Sequence, residues 1–169
     1  MSRFGVRVYK QYFNFASAHF LIFADGAREE LHGHNYRVRV KILGDVGPGD
    51  MVVDFCKLKP IVRRFCDELD HRTLLPSSNA YLDVQEADDH VEAIFSRTDG
   101  GKDRFVFPKA DVLVLPITNT STERLAEMLG DKIFAAAREM GGATSKLESL
   151  EIEVEEASGQ CGLYGVDES

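Results

Sequence analysis

A chain of 169 residues, 44% hydrophobic and 28% charged, has the length of one domain and the composition of an ordinary globular protein. Its net charge of −8 excludes the basic surplus of a typical nucleic-acid binder, and Arg37, Arg39 and Lys41, alternating along one short run, read as a solvated strand edge. No window approaches the ~18 apolar residues of a membrane span, the start MSRFGVRVYK lacks the apolar centre of a signal peptide, and three scattered cysteines without a C-x-x-C pair exclude a disulfide framework or zinc knuckle. A cytoplasmic protein is expected, with no nucleic-acid and no membrane partner.

No internal repeat, low-complexity tract or linker divides the chain, so residues 1–169 read as a single domain. Residues 5–19 form a predicted strand. Phe13, Phe15 and Ser17 share one face, and the same parity delivers His19 at its end. A second strand covers 32–43, where Tyr36, Val38, Val40 and Ile42 alternate with the basic run. GDVGPGD breaks the chain. Leu58, Ile61, Val62, Phe65, Cys66 and Leu69 then recur by threes and fours over a helix at about 56–69, which puts Cys66 in the core. Pro60 belongs in a first turn, so this helix should not begin much earlier.

Between 76 and 117, VEAIFS and DRFVFP flank TDGGK as a β-hairpin, and DVLVLP suggests a further strand. A second helix is predicted over about 121–140, buried through Leu125, Met128, Leu129, Ile133, Phe134, Ala137 and Met140. Thr120 and Glu123 have capping-box spacing, and the glycines at 141–142 end the helix. The final strand is LEIEVEEA, 150–157. This order defines a segregated α+β fold around an antiparallel sheet.

Three features do not fit a plain core. His32 and His34 share a face, and His19 ends the matching face of the preceding strand. Antiparallel pairing would gather the three imidazoles. They would then form either a hydrogen-bonded cluster at a strand end or a three-nitrogen Zn²⁺ site with an open fourth position. In the last strand Leu150, Ile152 and Val154 point inward while Glu151, Glu153 and Glu155 point out, yet Glu156 falls on the inward parity. A carboxylate there either marks where the strand leaves the core or awaits a partner rich in N–H groups, such as a pterin ring. Asp70 and His71, after the first helix, are either a helix-terminal pair or an oriented general base.

FASAHFL, ELHGHNYRVRV, GDMVVDFCKLK, LDHRTLLP, TSTERLA and VEEASGQCGLY follow one another in an order that resembles the 6-pyruvoyl-tetrahydropterin synthase and 6-carboxytetrahydropterin synthase family. The likeness spans nearly the whole chain except 77–115. It implies a tunnelling fold: an antiparallel four-stranded sheet with two helices on one face, here with an inserted β-hairpin, assembled as a homo-hexamer of two trimers. It implies Zn²⁺ on His19, His32 and His34, and a pterin ring anchored by Glu156. Ser121, Thr122 and Glu123 match the family's pterin-contacting stretch, which generally crosses a subunit boundary. Glu123 is then both cap and binder, or only a cap. Asp70 and His71 fall on the family's catalytic pair.

Most members carry a proton-transferring cysteine four residues before the first histidine of H-G-H. Arg28 stands there, and no cysteine occurs from 1 to 55. REELHGHNY instead resembles a branch with E-x-x-H-G-H, which makes Glu29 the acting carboxylate; Glu30 is one residue too close, but on a flexible loop it could take that place. That branch implies cleavage of the side chain of 7,8-dihydroneopterin triphosphate to 6-hydroxymethyl-7,8-dihydropterin. The alternatives are 6-carboxytetrahydropterin or 6-pyruvoyl-tetrahydropterin synthesis, or a pterin-binding homologue without turnover. The triphosphate needs cationic partners, for which Arg28 and a neighbouring subunit are candidates.

Overall fold

The computed structural model describes residues 4–47, 49–140 and 147–168. In chain order the elements are β1 (Phe4–His19), β2 (His32–Gly44), α1 (Phe55–Leu69), β3 (Arg72–Pro76), β4 (Leu82–Glu86), β5 (His90–Ser96), β6 (Lys102–Pro108), β7 (Val112–Leu115), α2 (Thr122–Met140), β8 (Leu147–Ala157) and β9 (Gln160–Asp167).

A six-stranded sheet runs in the order β7-β3-β1-β2-β8-β9. The expected four antiparallel strands are its β1-β2-β8-β9 portion. The sheets differ from that expectation in two respects. The sheet is mixed and wider, because β3 pairs parallel to β1 and β7 parallel to β3. The insertion is not a lone hairpin but a three-stranded sheet, β4-β5-β6, in which β4 adds to the expected hairpin. β3 is short and wholly apolar at Leu74–Leu75, so it carries no alternation to detect. The chain also continues past 157 into β9, after a turn in which Gly159 has φ +79°. β9 is broken by glycines and exposes Leu163, so its alternation is weak.

Both helices bury their apolar stripes in one cluster with the sheet. Leu58, Val62, Phe65 and Leu69 of α1 and Leu125, Leu129, Ile133 and Phe134 of α2 meet Phe13, Phe15, Tyr36, Val38, Val40, Ile152 and Val154. Fully burying a side chain of this size contributes about 1.5–3 kcal/mol. Cys66 lies in this core, and burial pushes its thiol up to about 12. A second cluster joins Phe20 and Ile22, just beyond β1, to Leu82, Val91, Ala93 and Phe95 of the insertion.

Helix ends also differ from expectation. Asp54 caps α1, its side chain accepting from the Cys56 amide at 2.8 Å, and Pro60 lies one turn deeper than expected. Ser121, not Thr120, caps α2: its Oγ accepts from the Arg124 amide at 3.4 Å. Thr120 is fully buried and engaged elsewhere. The glycine stop at 141–142 lies outside the described residues. Arg37, Arg39 and Lys41 are not at a sheet edge, because β2 is an interior strand; Arg39 bridges to Glu153 and, at 2.7 Å, to Glu155. Glu155 is therefore buried rather than solvated.

Candidate functional site

The β1–β2 register places His19 opposite His32, Ser17 opposite His34 and Phe15 opposite Tyr36. Pleat alternation then aims the three imidazoles at one spot, with ring centres 4.9 Å (His19–His32), 5.3 Å (His19–His34) and 4.8 Å (His32–His34) apart. One nitrogen from each lies within 4.8 Å of the others, a group able to hold a metal ion.

Backbone carbonyls settle the tautomers, since a carbonyl only accepts. His19 Nδ1 donates to the Thr120 carbonyl at 3.1 Å, with the Thr120 hydroxyl oxygen 3.3 Å away. His32 Nδ1 donates to the Glu30 carbonyl at 2.8 Å. In the neutral ring this tautomer leaves the lone pair on Nε2, as a ligand must. Among the described residues His34 Nε2 is buried with no hydrogen-bond partner, the orphaned lone-pair atom that a metal would satisfy. Burial, and then the charge of His32, lower the His19 pKa to about 4, so its ring is neutral at physiological pH. The donor set fits a divalent ion with open positions.

Two residues at this spot escaped the sequence reading. Tyr36 sits 3.0 Å from His19 Nε2 through its hydroxyl. Burial, then the negative charges of Glu156 and Glu29, hold its phenol well above the ordinary range. The signal for Tyr36 was its parity with His32 and His34. Thr120, which orients His19, was disguised by its cap-like spacing to Glu123.

Glu29 reaches the triad. Its Oε2 lies 3.9 Å from His32 Nε2 and accepts from the Leu21 amide at 3.1 Å, while its own amide donates to the Leu21 carbonyl at 2.9 Å. The Glu30 side chain is exposed, and among the described residues its carbonyl, not its carboxylate, engages His32. Arg28 is not poised for a phosphate: its guanidinium turns into the insertion and pairs with Asp103 at 2.7 Å.

On the other flank, Glu156 is half-buried on β8, where the register with β9 shifts between Glu155 and Ala157. Ser121, Thr122 and Glu123 begin α2 directly after Thr120. A Cβ on Gly162 would meet the Thr122 carbonyl carbon at 2.4 Å, so glycine permits β9 to approach this helix end. The backbone amide of Glu123, then the Ser121 hydroxyl, hold the Glu123 carboxyl below its usual range.

Asp70 and His71 form a contact pair, Nδ1 to Oδ2 at 2.9 Å, and Asp70 Oδ1 accepts from the Ala16 amide at 2.7 Å. His71 adopts φ +57° and its side chain is 84% exposed, bordering an open groove with Ala16, Ala18, Gly33 and His34. Among the described residues no hydrogen bond or ring contact joins His71 to the triad.

A mixed sheet ending in three convergent imidazoles, with the carboxylates of Glu29 and Glu156 on nearby strands and loops, defines a protein with a candidate metal centre. Residues 7–165 match the 6-pyruvoyl tetrahydropterin synthase family, and the chain belongs to it. It is 31% identical over 151 residues to a putative 6-carboxy-5,6,7,8-tetrahydropterin synthase of Methanocaldococcus jannaschii, covering 89% of this chain and 88% of that one. Over 46 residues it is 48% identical to a dihydroneopterin monophosphate aldolase of Pyrococcus furiosus, 27% of this chain and 40% of that one. The fold superimposes on Plasmodium vivax 6-pyruvoyltetrahydropterin synthase with a TM-score of 0.85 at 28% identity, covering 99% of this chain and all of that one; that structure carries alanine in place of a catalytic glutamate.

Proposed function

We propose that the protein is a zinc-dependent lyase of pterin biosynthesis, carried by one pterin-synthase-like domain, that cleaves the side chain of 7,8-dihydroneopterin triphosphate to 6-hydroxymethyl-7,8-dihydropterin. The observation that carries this reading is the Glu29 carboxylate 3.9 Å from His32, in a chain with no cysteine before Cys56. The catalytic glutamate of the Plasmodium vivax relative and the aldolase name of the Pyrococcus furiosus relative support it.

His19, His32 and His34 would hold Zn²⁺, which supplies Lewis acidity toward a side-chain hydroxyl. A carboxylate is a weaker base than a thiolate by about four pKa units in the free groups, so a carboxylate in this place suits a hydroxyl whose acidity the bound metal would raise. Glu29 takes the hydroxyl proton, that oxygen becomes the carbonyl of a released aldehyde bearing the triphosphate, and the electron pair of the broken C–C bond enters the pterin ring. Asp70 and His71 return a proton to the carbon left on the ring. Glu156 accepts hydrogen bonds from the pterin's amino and ring N–H groups, with Ser121, Thr122 and Glu123 alongside it.

We infer, further, a cytoplasmic homo-hexamer of two trimers. The edge strands β7 and β9 and the exposed Tyr9 and Leu163 favour assembly through the sheet. Sedimentation of a monomer would reject it.

A second reading is 6-carboxytetrahydropterin synthesis, favoured by the Methanocaldococcus jannaschii relative. Incubation of the metal-loaded protein with 7,8-dihydroneopterin triphosphate, followed by mass analysis, separates the two. The expected product is 6-hydroxymethyl-7,8-dihydropterin. A dominant 6-carboxy or 6-pyruvoyl product overturns the proposal.

A further inference from the structure

One guanidinium is enclosed by three phenylalanines. The Arg28 guanidinium carbon lies 4.9 Å from the ring centre of Phe105, 5.5 Å from that of Phe20 and 5.6 Å from that of Phe95. Its Nε and Nη2 both donate to Asp103 Oδ2, at 3.0 and 2.7 Å, and Arg97 reaches the other Asp103 oxygen at 3.2 Å. Phe95 and Phe105 belong to the insertion, and Phe20 directly follows His19. The remaining nitrogen, Nη1, donates to the Glu29 carbonyl at 2.8 Å. A planar guanidinium can fill an aromatic cage, pair with a carboxylate through two nitrogens and still present a donor; an ammonium cannot do all three.

We propose that Arg28 is a positioning residue for Glu29, and that the three-stranded insertion sheet is the anchor that holds it. This rests on the reading of Glu29 as the proton acceptor. Glu29 is gripped from two sides. Leu21 engages its amide and one carboxylate oxygen, and Arg28 engages its carbonyl. Arg28 itself is immobilised by Asp103 and by the second hydrophobic cluster. The insertion therefore fixes the backbone that aims the carboxylate at the histidines. The triad has its own supports in Thr120 and the Glu30 carbonyl, so metal binding does not depend on this contact.

The test is Arg28→Ala, Arg28→Lys and Asp103→Asn in the metal-loaded full-length protein, in wild-type and Glu29→Gln backgrounds, assayed on 7,8-dihydroneopterin triphosphate. A displacement near 1 Å at a reacting group costs about a hundredfold in rate, and this is the expected fall in kcat for Arg28→Ala, with KM and metal affinity within about threefold. Arg28→Lys recovers part of the rate, because the charge in the cage remains. In the Glu29→Gln background, Arg28→Ala lowers the residual rate by less than about twofold, since the two changes remove one function. Amide hydrogen exchange at Glu29 rises in Arg28→Ala, a readout independent of turnover.

An unchanged kcat in Arg28→Ala overturns the inference. So does a full further loss in the Glu29→Gln background, or a loss confined to KM or metal affinity. Should Arg28→Ala fail to fold, Asp103→Asn preserves shape and is read by the same criteria. A wild-type rate in Glu29→Gln overturns the assignment of the base, and the exchange measurement then still decides whether the clamp exists.

Discussion

Histidines occur in two opposite conditions at the same end of this sheet. His19, His32 and His34 are locked: they are opposed across two strands, and His19 and His32 have their ring orientation fixed by a carbonyl. His71 is held at one nitrogen by Asp70 and otherwise faces solvent. The physical difference is the supporting shell. On the proposed reading the contrast has a use: metal ligands work best with their rings held by outer partners, whereas a residue that is to deliver a proton needs access to the reacting carbon and a free ring face. Rigidity and openness are thus divided between two corners of the fold, and each can be disturbed without the other.

The largest expected effect falls on the locked corner. Removing the metal with a chelator, or replacing the exposed His32 by alanine, should abolish turnover, while melting curves show the fold persisting with a modestly lower Tm. The reason is that the core beneath the triad is apolar and continuous through Phe15, Tyr36 and Val38. Unfolding on chelation would make the ion structural and would erase the contrast between the corners. Next in size is Glu29→Gln, which should lower kcat by about 10²–10⁴ with KM little changed, the range expected for losing a positioned proton acceptor. Glu30→Gln should stay within about twofold, because only the carbonyl of Glu30 supports a histidine. Equal losses from both changes would break the assignment.

His71→Ala should lower kcat by about a hundredfold without altering metal content or stability by more than about 0.5 kcal/mol, because its ring is exposed. Loss of bound metal in this variant, read by elemental analysis, would show that the two corners are coupled after all.

The legible parts of this molecule were those in which pattern and chemistry coincide. β1 and β2 alternate strictly at the site, so the parity of His19, His32, His34 and Tyr36 followed from the letters, and the register bears it out. The apolar stripes of α1 and α2 were equally plain. The sequence hid features that depend on distant segments meeting. β3 and β7 are short apolar runs whose parallel pairing is set by tertiary contacts rather than by alternation. Thr120 resembled a cap because capping is local, yet its carbonyl and hydroxyl are used by a residue 101 positions away. Arg28 looked like a free cation because its partners, Phe95, Asp103 and Phe105, lie in the inserted sheet. Glu155 looked solvated for the same reason: Arg39 and the turn amide of Gly159, at 3.1 Å, cover it only once β2, β8 and β9 are assembled.

The smallest effect tests what ties the open corner to the sheet. Burial alone would raise the Asp70 pKa, but the Ala16 amide and His71 outweigh it and hold the carboxyl below its ordinary 3.8. The unfolded chain therefore binds this proton more readily than the folded one. The resulting stability is present at pH values above 3.8 and is lost as pH falls through the lower, folded value. Asp70→Asn keeps an oxygen for the Ala16 amide and removes only the charge. At pH 7 it should cost about 1 kcal/mol, at the low end for a charged hydrogen bond because the side chain is partly exposed. Urea melts taken from neutral pH down to about pH 3 should show the gap between variant and wild type closing as the wild-type carboxylate protonates. A gap that stays constant over that range would mean that the Asp70 charge does not hold this corner. The tie would then be the Asp70-independent bonds there, the His71 amide to the Ala16 carbonyl at 2.7 Å and the Ser17 hydroxyl to the Leu69 carbonyl at 2.6 Å.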